Sequence, residues 1–348
     1  MNNSDKMKEE YENTISELIS QQKENWKIYK SIISKLKDDF VERDEVIDTI
    51  ASAFISKTNT LLIGSPGTAK SLIIKRFAQE LGIGGDDFFE YLLTKYSEPT
   101  EIFGPPDLNE LKKGVYEFNS KKGKLQHAKI AFIDEVFNAN SAILNALLMI
   151  INEKRFILGD TRKDNLDLLA VFGASNQTPD DPELMAFFDR FPVRVLVENI
   201  NANGNKEGTI NNYADLIFKS LIFEEEGSST LSDKKIIEIS DFVESMNKII
   251  ITKLKLLIQF DEQKNVMKYI TDYLKWNKNV AMESALLISD RSLKSIAKMI
   301  VAYSLIASGK LEIEPSLNFK DYCHFILEKT WNKEEERDEI RQIIGRIN

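Results

Sequence analysis

The sequence predicts an α/β fold, a parallel sheet flanked by helices, followed by an all-α C-terminal part. Three observations carry that prediction. Short continuous apolar runs recur at 61–63, 130–133 and 168–174, the pattern of strands covered on both faces. Helical periodicity separates them, as crossover connections between parallel strands require. From residue 209 to the end the periodicity is helical, with a looser segment expected at about 247–260.

Composition bounds the class. The chain has 348 residues, of which 43% are hydrophobic, enough for two compact domains. A net charge of −9 argues against a surface built mainly to hold nucleic acid. One cysteine, Cys323, excludes an intramolecular disulfide, and two histidines far apart in the sequence make a zinc site a poor reading. The polar N-terminus is no signal peptide, and no window approaches the ~18 uncharged apolar residues of a membrane span. A soluble, cytoplasmic protein is the expectation.

In chain order, residues 4–38 carry apolar positions at helical spacing, including Trp26, Tyr29, Ile32 and Leu36. A second helix is expected from Phe40. The decisive stretch is T-L-L-I-G-S-P-G-T-A-K-S at 60–71. An apolar strand breaks into a turn where Gly64 and Gly67 let successive N–H groups converge on an anion, at the start of a helix near Lys70. Lys70 supplies a point charge for β and γ phosphates, and the Ser71 hydroxyl suits Mg²⁺. The strict pattern has glycine where this chain has Ala69, so tolerance of the methyl group is expected to need negative φ there. A plain turn between strand and helix is the alternative. The helix should run to Leu81 and stop at Gly82.

Residues 88–93 read as the second strand. The Pro- and Gly-rich stretch that follows, to about Asn119, reads as an inserted hairpin-like excursion or as a long surface loop. K-I-A-F-I-D-E at 129–135 then brings Asp134 and Glu135 to the C-terminal end of a buried strand, where open α/β sheets bind ligands. Asp134 suits Mg²⁺ through its water shell, and Glu135 can polarise an attacking water. Residues 141–153 read as a helix, 154–168 as a hairpin whose tip carries Gly159, Asp160, Arg162 and Lys163, and 168–175 as a strand ending at Asn176. That amide either orients the lytic water or starts the N-Q-T-P-D-D-P turn. Arg190 and Arg194 flank the last strand, and 201–208 is the best domain boundary. The acidic run at 224–226 reads as a solvated helix end.

Together these residues resemble an AAA+ ATPase of the MoxR family, most closely its RavA branch, from about Leu36 onward. The likeness rests on F-V-E-R-D-E-V-I, G-S-P-G-T-A-K-S, Y-L-L-T-K-Y-S-E-P-T-E-I-F-G-P, I-A-F-I-D-E-V-F-N-A-N-S-A-I-L-N-A-L-L-M-I-I-N-E-K-R-F, G-A-S-N and S-D-R. It implies a P-loop NTPase core at 36–202, a helical lid at 203–348 and an N-terminal helical extension at 1–35 without family counterpart. The RavA branch's additional discontinuous domain has no match here.

Site roles follow from the resemblance residue by residue. Gly64, Ser65, Pro66, Gly67, Thr68, Ala69, Lys70, Ser71 and Leu72 look like Walker A, Asp134 and Glu135 like Walker B, and Asn176 like sensor 1. Arg190 looks like the arginine finger acting on a neighbouring subunit, with Arg194 the alternative. Arg291 resembles sensor 2, a lid arginine over the nucleotide. Val41 looks like the adenine-side contact, and Thr94 like a restraint on Glu135. Residues 98–119 and 156–167 look like the helix-2 insert and pre-sensor hairpin. The implied cofactors are ATP and Mg²⁺. The implied assembly is a homo-oligomeric ring, a hexamer, acting on a protein client with a von Willebrand A partner. A nucleic-acid motor of a restriction or phage-defence system is the rival from another class.

Overall fold

The long N-terminal helix follows from the apolar stripe expected over 4–38, which crosses the domain boundary expected at 35. In the computed structural model of the chain, which describes residues 3–118, 122–179, 181–200, 213–219, 221, 236, 238–260, 268, 270–273, 289–311, 319–333 and 336–346, helix α1 spans Asn3–Asp39 and α2 spans Asp44–Ser56. Trp26, Tyr29, Ile32, Ile33 and Leu36 are all buried, so hydrophobic burial carries the helix onward. The Tyr29 hydroxyl donates to the Ala51 carbonyl at 2.7 Å, and its ring packs against Phe54, Phe77 and Phe242. The second half of α1 is thus part of the main core.

The sheet is built from β1 (Thr60–Ile63), β2 (Phe88–Leu92), β3 (Ile130–Asp134), β6 (Ala170–Ser175) and β7 (Val193–Leu196), in the order β2-β3-β6-β1-β7. Every pairing is parallel. All strand C-termini therefore reach one edge, and Ile63 lies level with Ser175 while Ile133 lies level with Gly173. Helix α3 (Lys70–Glu80) follows β1, ending before Gly82 at φ 76°, as expected of its C-cap. Helix α6 (Ser141–Glu153) follows β3 and runs back toward the opposite edge. Helix α7 (Pro182–Phe188), which the turn-rich sequence did not announce, precedes β7.

The stretch read as a hairpin-like excursion holds two short helices instead, α4 (Pro99–Phe103) and α5 (Leu108–Leu111), with one isolated bridge between Pro106 and Phe118. The reason is local: Glu98 and Glu101 form a capping box, and Asp107 accepts from the Asn109 and Glu110 amides. The hairpin β4 (Phe156–Leu158) and β5 (Thr161–Lys163) is present with Gly159 at φ 59°. It is knit to the excursion, since the Tyr116 amide donates to Asp160 and the Phe118 amide to Thr161, each at 2.6 Å.

The C-terminal part is helical: α8 (Ile239–Gln259), α9 (Asp290–Ser308), α10 (Phe319–Leu327) and α11 (Glu336–Arg346). The segment expected to be loose at 247–260 is continuous α8, because Ile249, Ile250 and Leu254 bury against the core and packing overrides the weak propensity of its β-branched run. The expected boundary at 201–208 and the acidic run at 224–226 lie outside the described residues. Among the described residues no helix is long and apolar enough to cross a membrane.

Candidate functional site

The turn after β1 has a sharper division of labour than two permissive glycines. Gly67 is the turn residue, at φ 81°. Gly64 is needed for a different reason, since a Cβ there would stand 2.1 Å from the Val197 carbonyl oxygen. Ala69, expected at negative φ, stands at φ 66°, ψ 21° as the N-cap of α3. The loop must reverse at this point to enter the helix, and tertiary packing holds an alanine in a conformation that glycine adopts freely. Ser65, Pro66 and Gly67 are exposed, while Thr68 is buried with its hydroxyl donating to the Ser65 carbonyl at 2.9 Å.

Lys70 folds back into this loop. Its ammonium donates to the Gly64 and Ser65 carbonyls at 2.5 and 3.0 Å, and reaches the Asn176 Oδ1 at 3.4 Å. Asn176 in turn donates through Nδ2 to a Glu135 carboxylate oxygen. One amide therefore joins the cation after β1 to the carboxylate after β3, because β6 lies between those two strands. Glu135 sits at φ 49°, and the Asp134 carboxylate accepts its amide at 3.0 Å. Burial pushes the Glu135 carboxyl above its ordinary range, helped by Asp134 and opposed by Lys70 and the Asn176 bonds. Burial lowers Lys70, against the pull of Asp134 and Glu135. A partly buried carboxylate whose pKa is raised is suited to proton abstraction.

A cavity of about 690 Å³ adjoins the loop, within the size range of small-molecule sites. Phe40, Val41, Thr68 and Leu72 line it, as do Tyr213 and Leu216 from the helical part. The sequence had pointed to Val41. Tyr213 and Leu216 carried no motif, and only the return of the chain to this face reveals them. Ser71, in the first turn of α3, and Asp134 are two hard oxygen donors. Among the described residues no three His, Cys, Asp or Glu gather as a closed cage. Mg²⁺ takes one or two protein ligands and completes its shell with substrate phosphates and water, and a hydroxyl and a carboxylate are donors of that kind.

The other predicted residues lie elsewhere. The Thr94 hydroxyl is engaged by Ser97 at 3.2 Å and by the Tyr96 amide, while Glu135 bonds Asn176 instead. Arg190, just before β7, lies at the strand N-termini, across the sheet from Lys70, and pairs with Asp189 at 3.1 Å. Arg194 is buried. Its guanidinium donates to the carbonyls of Thr330 and Trp331 at 3.2 and 2.7 Å and stacks 4.0 Å over Phe188. Burial lowers it to about 10, and it clamps the helical part to the sheet rather than facing outward.

Arg291 lies in the C-terminal helical part. Its backbone is in the first turn of α9, whose N-cap Ser289 and whose Ser292 donate to the Asp189 carboxylate at 2.9 and 3.1 Å. That hydroxyl clasp fixes the start of α9 at the edge opposite Lys70, a strand length of roughly 15 Å away. The backbone of Arg291 starts from that edge, and its side chain lies outside the described residues.

Comparison with known proteins fits this geometry. A family model described as the MoxR domain in the MoxR-vWA-beta-propeller ternary systems matches residues 27–210, reaching back into α1, which the sequence had left without counterpart. An uncharacterized Methanocaldococcus jannaschii protein is 34% identical over 287 residues, 82% of this chain and 66% of its own length. Chaperone MoxR1 of Mycobacterium tuberculosis is 28% identical over 127 residues, 36% of this chain and 32% of its own length. The chain thus spans less than two thirds of either relative. A crystal structure of a Cytophaga hutchinsonii protein provisionally described as an ATPase superposes with a TM-score of 0.62 at 19% identity, covering 95% of this chain and 98% of that one.

Proposed function

The chain belongs to the MoxR family of AAA+ ATPases, and from that premise we propose that it binds and hydrolyses ATP in an oligomeric ring to remodel or assemble a protein client. The observation that carries the catalytic part is Asn176 spanning Lys70 and Glu135 at the C-terminal edge of the sheet. Lys70 holds the β and γ phosphates, giving up the loop carbonyls it contacts. Ser71 and Asp134 would hold Mg²⁺, which would supply charge neutralisation at the phosphates. Glu135 takes the proton of the attacking water, and Asn176 fixes the direction of its carboxylate. The apolar cavity beside Val41 receives the base.

Arg190, on the opposite edge, acts on the nucleotide of an adjacent copy, which makes turnover depend on assembly and favours a closed ring, most simply a hexamer. The chaperone name of one relative supports a protein client, and the description of the family model supports a von Willebrand A partner. The likeness to the RavA branch rests on sequence motifs alone. The test separates binding from chemistry: Lys70→Ala should weaken binding of a fluorescent ATP analogue, while Glu135→Gln should bind it normally and lose about 10²- to 10⁴-fold in turnover. Parent rates in both variants would place the site elsewhere.

A further inference from the structure

At the edge opposite Lys70 lies a second cavity, of about 290 Å³, between the start of β1, the end of α6 and helix α9. Lys57, Lys154, Arg190, Lys294 and Lys298 line it, with Asp189 the one carboxylate among its lining residues. Asp189 is already committed, accepting from Arg190, Ser289 and Ser292. Lys57 has a carboxylate of its own, the mostly exposed Glu244. Among the described residues Lys154 and Lys298 have no carboxylate within ion-pair distance, and both are half-buried. Burial lowers each to about 8, reinforced for Lys154 by Lys57 and Lys298, and for Lys298 by Lys294 and Lys57 with Glu244 pulling the other way. The end of α6 favours one cation at Lys154. It does nothing for Lys298, which lies within α9. Gathering like charges in a partly desolvated space is unfavourable unless an anion compensates them.

We propose that this cavity binds a phosphate-class anion, held between Lys154 and Lys298 with Arg190 at its wall. The volume lies just below the roughly 300–1,000 Å³ of drug-sized sites, which suits a phosphate or diphosphate group rather than a whole nucleotide. Three donors on an ammonium and the fork of a guanidinium match tetrahedral phosphate oxygens. The site does not require the ring proposed above. Two sources share this chemistry: free inorganic phosphate or pyrophosphate, and the phosphate end of a nucleotide held at the Lys70 loop of a second copy.

Amine acylation of the full chain near neutral pH, read lysine by lysine by peptide mass spectrometry, tests the site and reports Lys70 separately. Inorganic pyrophosphate at ten times its Kd should slow labelling of Lys154 and Lys298 about tenfold, with exposed Lys23 unchanged. Lys154→Met should abolish the protection of Lys298, with thermal melting used to verify folding; Lys298→Met should do the same for Lys154. Unchanged labelling with pyrophosphate and phosphate, or equal protection by chloride at matched ionic strength, would overturn the proposal. A non-hydrolysable ATP analogue then identifies the source. Protection lost in Lys70→Ala assigns the phosphate to a nucleotide on another copy, and protection retained assigns it to direct binding from solution. If the ring reading fails, pyrophosphate protection in Lys70→Ala still stands.

Discussion

The two edges of one parallel sheet treat buried cations in opposite ways. At the C-terminal edge Lys70 is lowered by burial but faces Asp134 and Glu135, and Asn176 ties cation and carboxylate together. At the N-terminal edge Lys154 is lowered by burial and further by its lysine neighbours, while Asp189 is spent on Arg190 and the start of α9. The first edge is balanced within one chain, so its chemistry is legible in a single copy. The second gathers more positive than negative charge, with Glu244 on Lys57 and Asp189 on Arg190 as its partners. The comparison shows that the same group in similar burial means different things according to where its counter-charge comes from.

The largest expected effect tests whether the N-terminal edge serves another copy. Arg190→Ala should lower ATP turnover by about 10³ to 10⁵, the range of arginine fingers in other NTPases. Mixed with Lys70→Ala, itself inactive, it should regain partial activity, because mixed rings pair an intact Lys70 site with an intact Arg190. No recovery in rings shown to exchange subunits would reduce Arg190 to its ion pair with Asp189.

Next comes the proton balance of the C-terminal edge. A base must be ionised to act, and the Glu135 pKa is raised. Turnover should therefore fall on the acid side at a higher pH than an ordinary carboxylate would give, about tenfold per pH unit below that pKa. The limb should be missing from the residual rate of Glu135→Gln. An acid limb in the ordinary carboxylate range would remove the burial argument.

Arg194 separates clamp from catalysis. Arg194→Met leaves the Thr330 and Trp331 carbonyls without their donor, and chemical denaturation should show a loss of about 2–4 kcal/mol. Binding of ATP by the folded variant should persist. The smallest effect concerns Ala69: Ala69→Gly should stabilise by up to about 1 kcal/mol by relieving the left-handed conformation, against the entropy glycine adds to the unfolded chain. A clear destabilisation would mean the methyl group has packing value beyond its strain.

What the sequence determined by itself is whatever local pattern encodes. Continuous apolar runs mark β1, β3 and β6, since a strand covered on both faces has no polar face to show. The residues just after those strands are Lys70, Glu135 and Asn176 once the sheet is known to be parallel, which made the cluster readable before its geometry. The capping box at Glu98 was equally local and went unread behind the Pro and Gly around it. Tertiary structure alone decided the rest. Whether the second half of α1 joins the main core depends on what Tyr29 and Leu36 pack against, and the φ of Ala69 on the whole loop. Arg190 and Arg194 stand four residues apart in similar company, yet one lines a cavity and the other is buried against the turn at Thr330 and Trp331. The second cavity joins Lys57, Lys154 and Lys298 from three distant segments, and no periodicity links them. Local interactions set elements because they act over a few residues. Burial, counter-charge and the reach of a side chain depend on segments that meet only when the chain has folded.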